Sequence, residues 1–270
     1  MPFASLPDGV KLYYETHGTG EPLLLIMGRA SDHYGWGPLT ADFARRWQVI
    51  VYDHRGTGQS DKPESPPYTV QGFANDAAAL LDHLNLPRAQ VFGISMGGRV
   101  AQWLAIEHAA RVGALVLGCT TPGDAHGVKR TPKVEAAFNS TSMLRVMPLM
   151  FSPWWVFTHM NELAARRPAV EIPVPPYAQK LHADASTAHD AWDKLPLITA
   201  PTLVIHGDRD QVAPVGNARL LAERIPHAEL HLVHGGRHIF YLQFREEVER
   251  VVSDFLQRHP LAPPANERLE

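Results

Sequence analysis

Val91-Phe92-Gly93-Ile94-Ser95-Met96-Gly97-Gly98 decides how this chain reads. An apolar run enters a G-x-S-x-G turn, and the segment beyond it, Val100 to Ile106, carries its apolar residues at helical spacing. Strand, sharp turn and helix in that order hold the Ser95 side chain out over the end of a sheet, on a strained backbone. Glycines two residues to either side let neighbouring chains approach where a Cβ would collide. The helix that starts beside Ser95 brings unpaired N–H groups and a dipole, which favour negative charge developing on an oxygen there.

Working outward, similar apolar runs recur at Leu23 to Met27, Val49 to Tyr52, Ala114 to Leu117 and Thr202 to Ile205. They are unbroken rather than alternating, as strands covered on both faces are, so the sheet reads as parallel. Phe73 to Leu84 is helical in period, and the βαβα rhythm predicts a three-layer α/β fold. Val10 to Thr16 alternates and reads as an antiparallel edge, Leu230 to Val233 as the last strand, and Phe240 to Leu256 as one final helix. After Thr121 the rhythm stops for about 75 residues rich in Pro, Met and Trp, too long for a structureless connection. The chain therefore divides into a core of residues 1–121 and 197–260, a helical cap of residues 122–196 over one end of the sheet, and a flexible tail, 261–270.

The chain has 270 residues, 45% hydrophobic and 20% charged, enough for a sizeable core without staples. Lys plus Arg is 25 and Asp plus Glu is 28, so no basic footprint for a phosphate backbone exists and no nucleic-acid partner is expected. Cys119 is the single cysteine, which rules out an internal disulfide and fits a reducing, cytoplasmic setting. The N-terminus has neither a basic leader nor a long apolar stretch. The most lipid-like segment, Val146 to Thr158, is shorter than the ~20 residues of a spanning helix and holds Pro148 and Pro153, so no membrane partner is expected. The expected assembly is a monomer or homodimer.

A serine hydroxyl needs a base that is itself oriented by an acid. Thr202 to Ile205 runs into His206-Gly207-Asp208-Arg209-Asp210, so both aspartates stand at the carboxyl end of a buried strand, where open α/β sheets place their sites. Asp210 is the favoured acid because it lies farther from the strand and precedes a turn, Gln211 to Pro214; Asp208 reads as a brace of the loop. Fifteen histidines make counting useless, so position decides. His238, at the far end of the loop between the last strand and the final helix, is the favoured base; His234 stays near the strand and reads as structural.

With these residues in hand, the chain resembles the α/β-hydrolase-fold serine hydrolases. The segments GISMGG, HGDRDQVAP and HGGRH, with DHRGTGQS at Asp53 to Ser60, follow that family's order of nucleophile, acid and histidine. SMGGRVAQWLA resembles the branch of enol-lactonases, cofactor-free haloperoxidases and small carboxylesterases. The resemblance implies an eight-stranded, mostly parallel sheet with the cap between strands six and seven. It also implies an oxyanion hole from the backbone N–H groups of Met96 and Arg29, and no cofactor. Where many relatives have His-Gly, this chain has Met27-Gly28, so the hydrogen bond usually made by that histidine is missing. The Arg29 side chain reads as outward and solvated, the alternative being that it presents its guanidinium to a substrate carboxylate.

Met147, Phe151, Trp154 and Trp155 in the cap are expected to line a pocket for an apolar acyl or ring-shaped group, since Met is adaptable and Trp retains one donor. No basic cluster is visible in sequence, so the expected substrate is a small, neutral, apolar ester or lactone, cleaved by a carboxylesterase or lactonase. Perhydrolase, haloperoxidase or C–C bond hydrolase chemistry uses the same triad, and a small-molecule receptor with a vestigial triad is the rival of another class. Asp53, Arg55, Gly56 and Gly58 lack the lysine and spacing of a phosphate loop and read as a structural turn. A metal site on His206, Asp208, Asp210, His234 and His238 matches no metal-binding helix spacing and leaves the serine turn unexplained, so no metal is expected.

Overall fold

Each apolar run of the sequence lies in a strand of one eight-stranded sheet. The computed structural model describes residues 2–65, 68–159 and 172–261. In chain order the strands are β1 (Phe3–Ser5), β2 (Lys11–His17), β3 (Pro22–Ile26), β4 (Gln48–Tyr52), β5 (Ala89–Ile94), β6 (Val112–Gly118), β7 (Thr202–Gly207) and β8 (Glu229–Val233). Their order across the sheet is β1-β2-β4-β3-β5-β6-β7-β8. All neighbours from β4 to β8 run parallel, and β1 and β2 are antiparallel. The expected edge strand, Val10 to Thr16, lies one position in, because the three-residue β1 pairs along its outer side. A strand that short offers no periodicity to read.

Successive side chains of a strand point to opposite faces, and here both faces are covered. Leu24, Ile26, Val91, Leu115, Leu117 and Val204 face α2 (Val70–His83) and α3 (Met96–Glu107), packing on Phe73, Ala77, Leu81, Val100 and Leu104. Their alternates Leu23, Leu25, Phe92, Ile94, Val116 and Ile205 meet Phe43 of α1 (Leu39–Phe43) and Val248, Val252 and Phe255 at the C-terminal end of the chain. This double coverage is why the runs are unbroken.

Among the described residues, four α-helices stand between β6 and β7: α4 (Pro132–Phe138), α5 (Met143–Met150), α6 (Pro153–Thr158) and α7 (Pro176–Thr187). They precede α8 (Gly216–Arg224), α9 (Phe240–Gln243) and α10 (Arg245–Arg258). The single final helix expected from Phe240 to Leu256 is thus two, split where Phe244 leaves helical geometry at φ −113° and ψ 42°. The expectation of a flexible tail falls almost wholly on 262–270, outside the described residues, as does part of the cap. Among the described residues no helix is long and apolar enough to cross a membrane.

The Asp53 to Ser60 turn is held by side chains pointing back into it. Asp53 accepts hydrogen bonds from the backbone of His33 and Gln59, both at 2.8 Å, and Arg55 makes a two-pronged buried ion pair with Asp76 of α2, at 2.7 and 2.6 Å. Arg55 also pairs with the half-exposed Asp8 at 2.9 Å, so removing Asp76 leaves the buried guanidinium only partly compensated. Asp76→Ala is therefore expected to cost about 1–3 kcal/mol in denaturant unfolding, and a loss below about 0.5 kcal/mol would show the pair to be energetically idle.

Candidate active site

β5 ends at Ile94 and α3 begins at Met96, so Ser95 alone makes the turn, at φ 53° and ψ −119°. That backbone is costly for a residue with a Cβ and is kept only where the surroundings enforce it. Here the Ser95 N–H donates to the Gly118 carbonyl at 2.9 Å, and the Ser95 carbonyl accepts from the Thr120 hydroxyl at 2.7 Å. The flanking glycines are steric necessities. A Cβ on Gly93 would strike the Gly97 carbonyl oxygen, and one on Gly97 would strike those of Ile26 and Met27.

Because β5, β7 and β8 are parallel, the loops that follow them share one edge of the sheet. There the His238 Nε2 lies 3.1 Å from the Ser95 Oγ, and its Nδ1 lies 2.8 Å from the Asp210 Oδ2. The structure brings Ser95, Asp210 and His238 together. Asp210 is fixed on its other side by the N–H groups of Val212 and Ala213, which donate to Oδ1 at 2.8 and 3.0 Å. Burial alone would raise the pKa of this carboxyl, but His238 and His206, by charge and hydrogen bonding, hold it well below the usual carboxylate range. Asp210 is thus a fixed anion that anchors Nδ1–H and leaves Nε2 to face the serine. His206, which sequence reading placed only in a rejected metal site, donates its Nε2–H to the Ala213 carbonyl at 2.7 Å and lies 3.3 Å from Asp210.

Asp208 braces the loop. Its Oδ1 accepts from the Gly235 N–H at 2.8 Å, and its Oδ2 pairs with the largely exposed His234 at 2.9 Å. Of the five residues of the conceivable metal site, Asp210 and His238 belong to the triad, Asp208 and His234 form a pair near the surface, and buried His206 backs Asp210.

Met96 and Arg29 both line a small cavity at Ser95, of about 30 Å³. Gly28 lets the Arg29 loop come close, since a Cβ there would lie 3.3 Å from that of Ser95. Two histidines from elsewhere in the chain hold the loop that carries Arg29. The His54 Nε2–H donates to the Met27 carbonyl at 3.0 Å, and His182, on α7 of the cap, accepts from the Ala30 N–H at 3.3 Å while donating to the Arg55 carbonyl at 2.8 Å. Nothing in sequence marks these two among fifteen histidines. The Arg29 side chain is not fully solvated: its guanidinium stands 4.7 Å over the Phe138 ring, partly buried.

Burial, reinforced by His182, pushes the His54 pKa down to about 4, and burial does the same to His182. His189, hydrogen-bonded by the Trp103 indole at 3.1 Å, is pushed down to about 3 by burial and by Arg99. Unfolded histidine titrates near 6.5. Below that pH the unfolded chain takes up protons that the folded chain refuses, so the stability is fully present above about 6.5 and drains away as pH falls toward about 4. Denaturant midpoints measured across this window should fall steeply, and less so in His182→Asn; midpoints independent of pH would show that these rings are not held neutral.

Above Ser95 opens a larger cavity of about 880 Å³, whose walls include Phe138, Met143, Val146, Met150, Ile239 and Tyr241. The expected lining residues Met147, Phe151, Trp154 and Trp155 are not on it. Met143, Val146 and Met150 of α5 line the cavity, whereas Met147, at the edge of the same helix face, packs into the apolar cluster with Phe151 and Trp155. Pro148 lies inside α5 and Pro153 opens α6, and Phe151, between the two helices, stacks on Trp155 of α6 at 4.6 Å in an apolar cluster that includes Val212 and Ile239. Trp154 is 74% exposed.

A family model for the alpha/beta hydrolase fold matches residues 21–244. The chain is 31% identical over 257 residues to a putative carbamate hydrolase RutD from Caulobacter sp. strain K31, covering 91% of this chain and 95% of that protein. Among solved structures it is similar to an enol-lactonase from Burkholderia xenovorans LB400, with 27% identity, a TM-score of 0.82, and coverage of 95% of this chain and 100% of that one. It is also similar to Est816, an N-acyl homoserine lactone degrading enzyme, with 31% identity, a TM-score of 0.79 and coverage of 94% and 100%. The chain belongs to the alpha/beta hydrolase fold family, as a hydrolase of its esterase and haloperoxidase branch.

Proposed function

We propose that this hydrolase cleaves a carboxylic ester or lactone through an acyl-enzyme on Ser95. The observation that carries the reading is the chain of short contacts from Asp210 through His238 to the Ser95 hydroxyl, at 2.8 and 3.1 Å. The Ser95 Oγ attacks the substrate carbonyl carbon as His238 Nε2 takes its proton. The carbonyl oxygen becomes an oxyanion, for which the Met96 and Arg29 backbone N–H groups and the start of α3 provide positive potential. On collapse, His238 returns the proton to the leaving alkoxide, which in a lactone stays attached to the acyl group. Water, deprotonated by the same nitrogen, then attacks the ester on Ser95 and releases the acid.

The apolar walls of the 880 Å³ cavity support a substrate with an apolar body. The lactone-cleaving proteins among the similar structures favour ester and lactone over other acyl substrates. A panel of aryl esters, lactones and an aryl carbamate tests this: at least one ester or lactone should turn over many times per minute. If every member is inert, or only the carbamate reacts, the reading is wrong.

A further inference from the structure

The small cavity at Ser95 is walled by more positive charge than an ester needs. Arg29, Arg99 and Arg130, distant in sequence, line it with Ser95, Met96 and His238. Arg99 is buried and held by the carbonyl and hydroxyl of Ser186, the latter at 3.0 Å, with Asp124 at 3.7 Å. Arg130 has Glu135 at 3.3 Å and, like Arg29, stands 4.7 Å over the Phe138 ring. Both carboxylates are 51% exposed, where water weakens their hold. The Arg29 guanidinium has no hydrogen bond or ion pair among the described residues. Burial and the neighbouring like charges push the Arg99 pKa down to about 10. The buried hydroxyl of Thr121, on the same wall, also finds no partner among the described residues.

Gathering like charges out of water is unfavourable unless an anion joins them. The guanidinium fork matches a carboxylate in two parallel hydrogen bonds. A space of about 30 Å³ takes about two waters, or one carboxylate in their place. We propose that this arginine-lined cavity is a carboxylate-binding subsite, so that the substrate is a monoanionic ester or lactone whose carboxylate sits on a short arm from the scissile carbonyl. The apolar remainder would fill the larger cavity. The neutral substrate expected from sequence gives way here to an anionic one, because three arginines on separate segments form a cluster only after folding. The assignment rests on the Ser95 acyl-enzyme reading.

The test compares mono-p-nitrophenyl esters of succinate, glutarate and adipate with neutral isosteres in which an isopropyl group replaces the carboxylate. The kcat/KM of the best anionic ester should exceed that of its isostere by at least about tenfold, the scale of one charged hydrogen-bond pair. That ratio should fall toward one in Arg29→Met and Arg130→Met. Hydrolysis of both esters at equal rates, or a preference for the isostere, overturns the subsite and leaves the acyl-enzyme reading intact. A preference that survives both substitutions also overturns it, and hydrolysis of neither class, with neutral short esters inert as well, removes the acyl-enzyme reading on which it stands.

Discussion

His238→Ala is expected to lower ester kcat/KM by roughly 10⁴- to 10⁶-fold, the range seen when the base of such a triad is removed elsewhere. Without an imidazole 3.1 Å from its oxygen, Ser95 keeps a proton that no nearby group accepts as readily. The fold should survive. His238 sits at the rim of the sheet, on a loop whose Ile239 N–H still donates to the Met150 carbonyl at 2.9 Å, so the unfolding midpoint should move by no more than a few degrees. A variant that retains a tenth of the wild-type rate would mean that another group serves as base.

Asp210→Asn is the second large effect, about 10⁴-fold on kcat, as measured for the equivalent change in a well-studied serine protease. The amide preserves shape and removes charge. Its NH₂ group then competes as a donor toward His238 Nδ1, which favours the tautomer with a proton on Nε2, the nitrogen that must accept one from Ser95. Asp210 has a second duty, since its folded pKa is depressed. Such a carboxylate stabilises the fold above its unfolded pKa near 3.9, and that contribution is lost as pH falls through and below that value. The variant should therefore be less stable than wild type at pH 7, with the gap closing in acid. Asp208→Asn is the control: it changes a surface brace beside His234 and should leave kcat within about tenfold, the scale of one surface contact. Equal losses in the two variants would refute the assignment of roles.

Sequence reveals what parallel topology dictates. Ser95, Asp210 and His238 each lie in the loop beyond the carboxyl end of a parallel strand, and such ends converge whatever the rest of the chain does between them. The cap obeys no such rule. Which of Met143, Val146, Met147 or Trp154 faces the cavity depends on where α5 ends and where Pro153 starts α6, a phase that composition does not carry. His54 and His182 carry no sequence signature because buttressing the Arg29 loop needs only a ring in the right place. The arginine cluster was invisible for the same reason: Arg29, Arg99 and Arg130 belong to a loop, the first turns of α3 and the approach to α4, and a charge count scatters them.

The central claim is that the hydroxyl of Ser95 is an activated nucleophile. The most direct test is intact and peptide mass spectrometry after treatment with a fluorophosphonate. One adduct per chain is expected, on the peptide containing Ser95, and it should be absent from Ser95→Ala although that variant melts within a few degrees of wild type. Wild-type protein that stays unlabelled, or a Ser95→Ala protein that is labelled as fast as wild type, would contradict the account.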